Sequence, residues 1–253
     1  MRIHVVTPVV TSGLSTAAHF EPYARSGTHV TQGDIVRGPA TIESHFDEVL
    51  AIPDTVRLAA EAESSGASAI VVDCMTDPGL AAVREVTSIP VLGPAQTAMH
   101  VAAMLAMNFS VITASEAVLP AIDALVGQYG LRDKLCSLRS IDIPVHELGE
   151  EKRVGQALCA QALLAVEVDG AHSIILGCTG MMGWAERIGD HLAAHGHEGV
   201  PVLDPVVTAF KVAEALVDLG LTPSRRTYPR PLRKEILGFD EVVLAVRLDE
   251  DDR

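Results

Sequence analysis

Two cysteines stand in matching surroundings. SAIVVDCMTDPGL (Ser68–Leu80) and SIILGCTGM (Ser173–Met181) each carry an apolar run that reaches a thiol and continues into small and hydroxylated residues. In a parallel α/β chain, the carboxyl end of a buried strand is where the backbone becomes accessible to a ligand. Cys74 and Cys178 lie 104 residues apart, and the same shift lays Glu63, Gly66, Ala67 and Ile70 on Glu167, Gly170, Ala171 and Ile174. A pair of thiols in equivalent places suits the inversion of a carbon acid, which needs a base on one face and a proton donor on the other. With a reference pKa of about 8.5, cysteine offers both thiolate and thiol near neutrality.

Such a reaction has no net redox change and calls for no cofactor. The sequence agrees, having neither a G-x-G-x-x-G after a strand nor a G-x-x-x-x-G-K-[ST]. Lys134, Lys152, Lys211 and Lys234 have no evident pyridoxal-phosphate setting. His191, His195 and His197 form an H-x-x-x-H-x-H pattern in a hydrophilic segment, and no metal is expected there. Cys136 in DKLCSLR and Cys159 in QALCAQALL lack the context of the other pair and are expected in the core. Beside the two thiols, Met75, Thr76, Thr179 and Gly180 are expected to line the substrate site. So are Thr7, Pro8 and Thr11 after the first strand and Thr113 at the end of a later one. Their hydroxyls and neighbouring amides suit a carboxylate or imide oxygen.

The elements that must position these groups alternate. Ile3 to Thr7, Ala69 to Asp73, Val91 to Gly93, Phe109 to Thr113, Ser173 to Gly177 and Val202 to Asp204 read as short strands, each followed by a helical or turn-rich stretch. That pattern predicts βαβ units, parallel sheet and helices on both faces. A shift of 111 lays IPVLGPAQTAMHVAAML (from Ile89) on VPVLDPVVTAFKVAEAL (from Val200), and a shift of 106 lays Val5, Val6 and Thr7 on Val111, Ile112 and Thr113. GDHLAAHGHEG offers the place for the insertion that the longer shift requires. The expectation is an α/β chain of two similar Rossmann-like domains with parallel sheets related by a pseudo-two-fold axis. Residues 1–95 plus 201–253 form the first domain and 96–200 the second, with Cys74 and Cys178 facing each other across the cleft between them.

A formal net charge of −14 disfavours nucleic acid and anionic membranes as partners, since both select basic surfaces. No apolar run spans a bilayer, and the start, MRIHVVTPVV, reads as a strand, so a cytoplasmic protein is expected. Part of the charge sits in the terminal LDEDDR, expected to be a solvated tail. The basic cluster in SRRTYPRPLRK is expected to be a solvated face or a subunit contact in a homo-oligomer.

GPATIESHFDE (Gly38 to Glu48), VVDCMTDPGLAAVRE (Val71 to Glu85), IPVLG (Ile89 to Gly93), IILGCTGM (Ile174 to Met181) and VPVLDPV (Val200 to Val206) follow one another in the order of signature segments. In these the chain resembles the aspartate/glutamate/hydantoin racemase superfamily, nearest to its hydantoin racemase branch. The resemblance implies two Rossmann-like domains, cofactor-independent racemisation, and Cys74 and Cys178 as the acid/base pair. The chain departs from the Asn-Pro-Asn type turn that typically follows the first strand in hydantoin and allantoin racemases, carrying Thr7-Pro8-Val9-Val10-Thr11-Ser12 instead. The expected function is inversion of an amino acid or a 5-substituted hydantoin. The alternatives are an isomerase or decarboxylase of a small dicarboxylate on the same fold, and a non-catalytic two-lobed amino-acid-binding protein.

Overall fold

The chain, as a computed structural model, is described over residues 1–246, so the acidic end at 248–253 lies outside the described residues. Its elements run β1 (Arg2–Thr7), α1 (Ala17–Phe20), β2 (His29–Asp34), α2 (His45–Ser64), β3 (Ala69–Val72), α3 (Leu80–Val86), β4 (Val91–Leu92) and α4 (Pro94–Leu105). They continue with β5 (Phe109–Thr113), α5 (Leu119–Gln128), β6 (Leu135–Ser140), α6 (Glu151–Glu167), β7 (Ile174–Leu176), α7 (Trp184–Ala194), β8 (Val202–Leu203), α8 (Pro205–Asp218) and α9 (Asp240–Ala245). No helix among the described residues is long and apolar enough to cross a membrane.

The strands form two four-stranded sheets in the orders β2-β1-β3-β4 and β6-β5-β7-β8, with every neighbouring pair parallel. The order is the same in both, as the repeated sequence blocks require. Each sheet also has a strand outside the expected set, β2 (HVTQGD) and β6 (LCSLRS). Both lie at a sheet edge and none of their residues is fully buried, so neither needs the apolar run that marks the inner strands.

Packing divides the chain into two units. The first holds Met1–Asp73, Asp77–Gly93 and the described residues from Ala209, and the second holds Cys74–Thr76 and Pro94–Thr208. In the first, Val6, Ile70 and Val72 of the sheet are buried with Val56 and Ala59 of α2 and Leu80, Val83 and Val86 of α3. In the second, alternate residues separate to the two faces, as a pleated strand requires. Ile112, Ile174 and Leu176 pack with α6 and α7, while Val111 and Ile175 pack with α4 and α5.

The basic segment near the end of the described chain is committed within the first unit. The Arg225 guanidinium donates to the carbonyls of Arg84, Glu85, Thr87 and Tyr228 and to Ser88 Oγ, while Arg230 donates to Ser88 Oγ at 2.7 Å. Arg225 therefore satisfies carbonyls at the carboxyl end of α3, where a cation also complements the helix dipole. Arg226, Arg233 and Lys234 of the same cluster are exposed.

Candidate active site

β3 ends at Val72, and Asp73 continues the ladder by donating its N–H to Val6 O at 2.8 Å. Cys74 follows, the one residue of the run from Val71 to Pro78 that is not buried. Its Sγ lies 3.4 Å from Thr76 Oγ1. Met75, 3% exposed, anchors the turn in the second unit against Ala95, Ala98 and Met99 of α4. The turn then passes Asp77 at φ +49° and reaches Gly79 at φ +69°, which begins α3.

The second cysteine is delivered in the same way. β7 ends at Leu176, and Gly177 donates to Ile112 O at 2.7 Å, the counterpart of the Asp73 bond. Thr113 Oγ1 donates to Gly177 O at 3.0 Å, which ties this strand end to β5. Cys178 is extended, with φ −148°, and opens a single 3-10 turn, Thr179–Met181. Met181 N donates to Cys178 O at 3.0 Å, and Gly183 at φ +87° begins α7. A Cβ at Gly180 would lie 3.5 Å from Cys178 Sγ and 3.1 Å from Leu148 Cδ1, so glycine keeps that side of the thiol open. Each cysteine thus sits two residues past the third strand of its sheet, and each turn closes on a left-handed glycine five residues later.

The remaining expected site residues are placed as follows. Thr7 is buried, its Oγ1 accepting from Gln32 Nε2 at 2.9 Å and its carbonyl from Ile35 N at 3.1 Å. Pro8 is buried, and the loop after it is tied down by Val10 N to Pro39 O at 3.0 Å and by exposed Thr11, whose Oγ1 donates to Ala40 O at 2.8 Å. The Thr113 hydroxyl is 1% exposed and spent on Gly177. Thr76 is buried beside the first thiol, Thr179 is half-buried at the start of the second turn, and Gly180 is exposed.

Cys136 and Cys159 lie outside the two turns. Burial is the main influence on each and pushes both thiols up from their ordinary value, which disfavours the thiolate. Cys136 Sγ donates to Phe109 O at 3.2 Å. His195 Nδ1 donates to His191 O, and His197 Nε2 bonds Glu167 at 3.0 Å. Among the described residues, no group of three or more His, Cys, Asp or Glu is arranged to hold a metal.

Asp77, Gly79, Gly93, Gly177, Gly183 and Asp204 were not among the expected site residues, yet they shape both turns. The repeat carried a signal for four of them, because its register lays Gly79 on Gly183 and Gly93 on Asp204.

The Asp/Glu/hydantoin racemase family model matches residues 3–213. A hydantoin racemase of Pseudomonas sp. (strain NS671) is 37% identical over 244 residues, covering 94% of this chain and 95% of that protein. A hydantoin racemase of Paenarthrobacter aurescens is 38% identical over 242 residues, covering 94% and 100%. Among solved structures, an allantoin racemase from Klebsiella pneumoniae superposes with a TM-score of 0.87 at 33% identity, covering 94% of this chain and 96% of that one.

Proposed function

The chain belongs to the Asp/Glu/hydantoin racemase family and is an isomerase, and from that premise we propose that it inverts the ring carbon of a 5-substituted hydantoin with Cys74 and Cys178 as its two acid/base groups. The substrate class is supported by the hydantoin and allantoin racemases it resembles. Both substrates contain a ring carbon whose hydrogen is flanked by a carbonyl and an acylated nitrogen, so the proton is lost more readily than from a free amino acid.

In one direction the Cys74 thiolate takes the proton from C5, the electron pair moves onto the adjacent carbonyl oxygen, and the Cys178 thiol returns a proton to the opposite face. The other enantiomer uses the two groups in reversed roles. One proton leaves and one arrives, and each turnover leaves the two thiols with exchanged protonation. Amides of the two turns and the hydroxyls of Thr76 and Thr179 are the groups assigned to the enolate oxygen. The scheme asks for no metal and no organic cofactor.

The observation that carries this reading is the matched placement of the thiols. Each lies two residues beyond the third strand of a parallel sheet, follows a buried strand end and is itself only partly covered. Incubation of single enantiomers of 5-substituted hydantoins in deuterated water tests it. The expected result is deuterium at C5 together with loss of optical activity, unaffected by a strong chelator and abolished by thiol alkylation. Loss of CO₂, or tight binding without exchange, would contradict it.

A further inference from the structure

Each cysteine turn is held by one buried carboxylate, and the two carboxylates come from opposite ends. In the first turn the group belongs to Asp77, which is 5% exposed. Its φ of +49° lies in the left-handed region, which is strained for a residue other than glycine unless its surroundings hold it there. Pro78 follows and further disfavours that conformation. Its carboxylate occupies the space beside Gly93 at the end of β4. A Cβ at Gly93 would overlap the carboxylate carbon and both oxygens. Gly93 has no positive φ, so glycine is needed there for space and not for backbone freedom.

The second turn reverses the arrangement. Gly93 has Asp204 as its repeat counterpart, and this strand-end carboxylate reaches back to the cysteine turn. Asp204 Oδ2 accepts from Gly183 N at 2.9 Å, and Oδ1 accepts from Val207 N at 3.3 Å. The counterpart of Asp77 is Met181, which is fully buried in an apolar cluster. One carboxylate thus lies between each cysteine turn and its strand end, packed against Gly93 from the turn in one half and hydrogen-bonded to Gly183 N from the strand in the other. The near side of each turn is already fixed by the ladder bond from Asp73 or Gly177, so the carboxylate fixes the far side and leaves the thiol between two anchors.

We propose that Asp77 and Asp204 are positioning residues, each setting the placement of one catalytic thiol, Asp77 that of Cys74 and Asp204 that of Cys178. The catalytic consequence rests on the two-thiol reading above, whereas the placement itself does not. Two measurements separate them. In the first, alkylation of each cysteine by iodoacetamide is followed by peptide mass spectrometry. Asp77→Ala frees the turn, so Cys74 should react about five-fold faster while Cys178 stays within about two-fold. Asp204→Ala should do the converse, and Asp204→Asn, which keeps an acceptor oxygen, should recover most of the change. The double variant Asp77→Ala/Gly93→Asp rebuilds the first bridge in the manner of the second half and should bring Cys74 back to within about two-fold of wild type, although Gly93→Asp alone is damaging. Asp77→Asn, which keeps the shape, should shift Cys74 in the same direction but less, and covers the case in which Asp77→Ala does not fold.

In the second measurement, deuterium exchange from each hydantoin enantiomer should fall mainly for one hand in Asp77→Ala and mainly for the other in Asp204→Ala. Equal response of both thiols in folded Asp77 variants, or no recovery in the folded double variant, overturns the proposal. Thiol responses as described without enantiomer selectivity would leave the positioning claim standing and count against the two-thiol reading.

Discussion

Gly177→Ala tests how closely the Cys178 turn is set against its sheet. The backbone there has no positive φ, so alanine is permitted and only space is at issue. The new Cβ would lie 2.8 Å from Thr113 Cβ, 2.9 Å from Thr113 Cα and 2.9 Å from Val111 Cγ1. Carbon atoms pack best at about 3.5–4.0 Å, so the end of β7 must move off β5 by roughly half an ångström or more. Val111 and Thr113 are both at most 1% exposed and have nowhere to yield. Overpacking of this kind costs about 1–3 kcal/mol. Stretching the bonds from Gly177 N to Ile112 O and from Thr113 Oγ1 to Gly177 O adds about 1 kcal/mol. Together these give about 2–4 kcal/mol, a Tm lower by about 4–16 °C. Cys178 is the next residue, and because a 1 Å misplacement can cost about a hundred-fold, kcat should fall about ten-fold with a smaller change in KM. Thermal melts and initial rates from both enantiomers measure this. Gly189→Ala is the control, since a Cβ there meets nothing within 4 Å and the site is inside α7. It should be neutral or stabilising by up to about 1 kcal/mol. A Gly177→Ala protein that melts within about 1 °C of wild type and turns over normally would refute the packing argument.

Arg225→Ala removes one guanidinium from several carbonyls at the end of α3 and should cost about 2–3 kcal/mol, read as a lower urea midpoint. Arg225→Lys should recover little, because a compact ammonium cannot bridge the same acceptors, and full recovery would contradict that account. His4 gives a pH signature. Its Nδ1 bonds Thr31 Oγ1 at 2.9 Å, its Nε2 is buried with no hydrogen-bond partner among the described residues, and burial holds its pKa below the ordinary 6.5. The unfolded chain therefore binds a proton that the native chain refuses between that lowered value and 6.5. Stability should fall as pH drops through this window, by at most about 1.4 kcal/mol per unit from this group. Urea midpoints from pH 5 to 7.5 should show a shallower slope in His4→Phe than in wild type, and identical slopes would remove His4 from the account.

Much of the scaffold was legible because inner parallel strands are apolar runs, and Val5-Val6-Thr7, Ala69 to Val72, Phe109 to Thr113 and Ile174 to Leu176 all have that character. β2 and β6 were not, since His29–Asp34 and Leu135–Ser140 occupy edges where half-exposed residues of mixed polarity suffice. The positions of Cys74 and Cys178 at strand ends could be read from periodicity and repeat register. The direction of a hydroxyl could not, and Thr113, expected to meet a ligand oxygen, spends its hydroxyl on Gly177 O. The same holds for Arg225. Its charge was plain in the sequence, but its partners at Arg84, Glu85 and Thr87 are brought near only by packing. The exchange of carboxylates between Asp77 and Asp204 lay hidden for a similar reason. Register pairs Gly93 with Asp204, yet only three-dimensional proximity shows that Asp77 fills the space Gly93 leaves.

The proposed division of labour between the two thiols is measured most directly by following deuterium uptake at C5 of a 5-substituted hydantoin from each pure enantiomer in Cys74→Ser and Cys178→Ser, with Cys136→Ser and Cys159→Ser as controls. Serine keeps the size but is too weak an acid to serve as base near neutrality. On the two-thiol proposal, Cys74→Ser and Cys178→Ser both stop inverting substrate while each still exchanges the hydrogen of one enantiomer only, opposite hands in the two, and both controls turn over at close to the wild-type rate. Folded Cys74→Ser and Cys178→Ser proteins that invert substrate at near wild-type rates would contradict it.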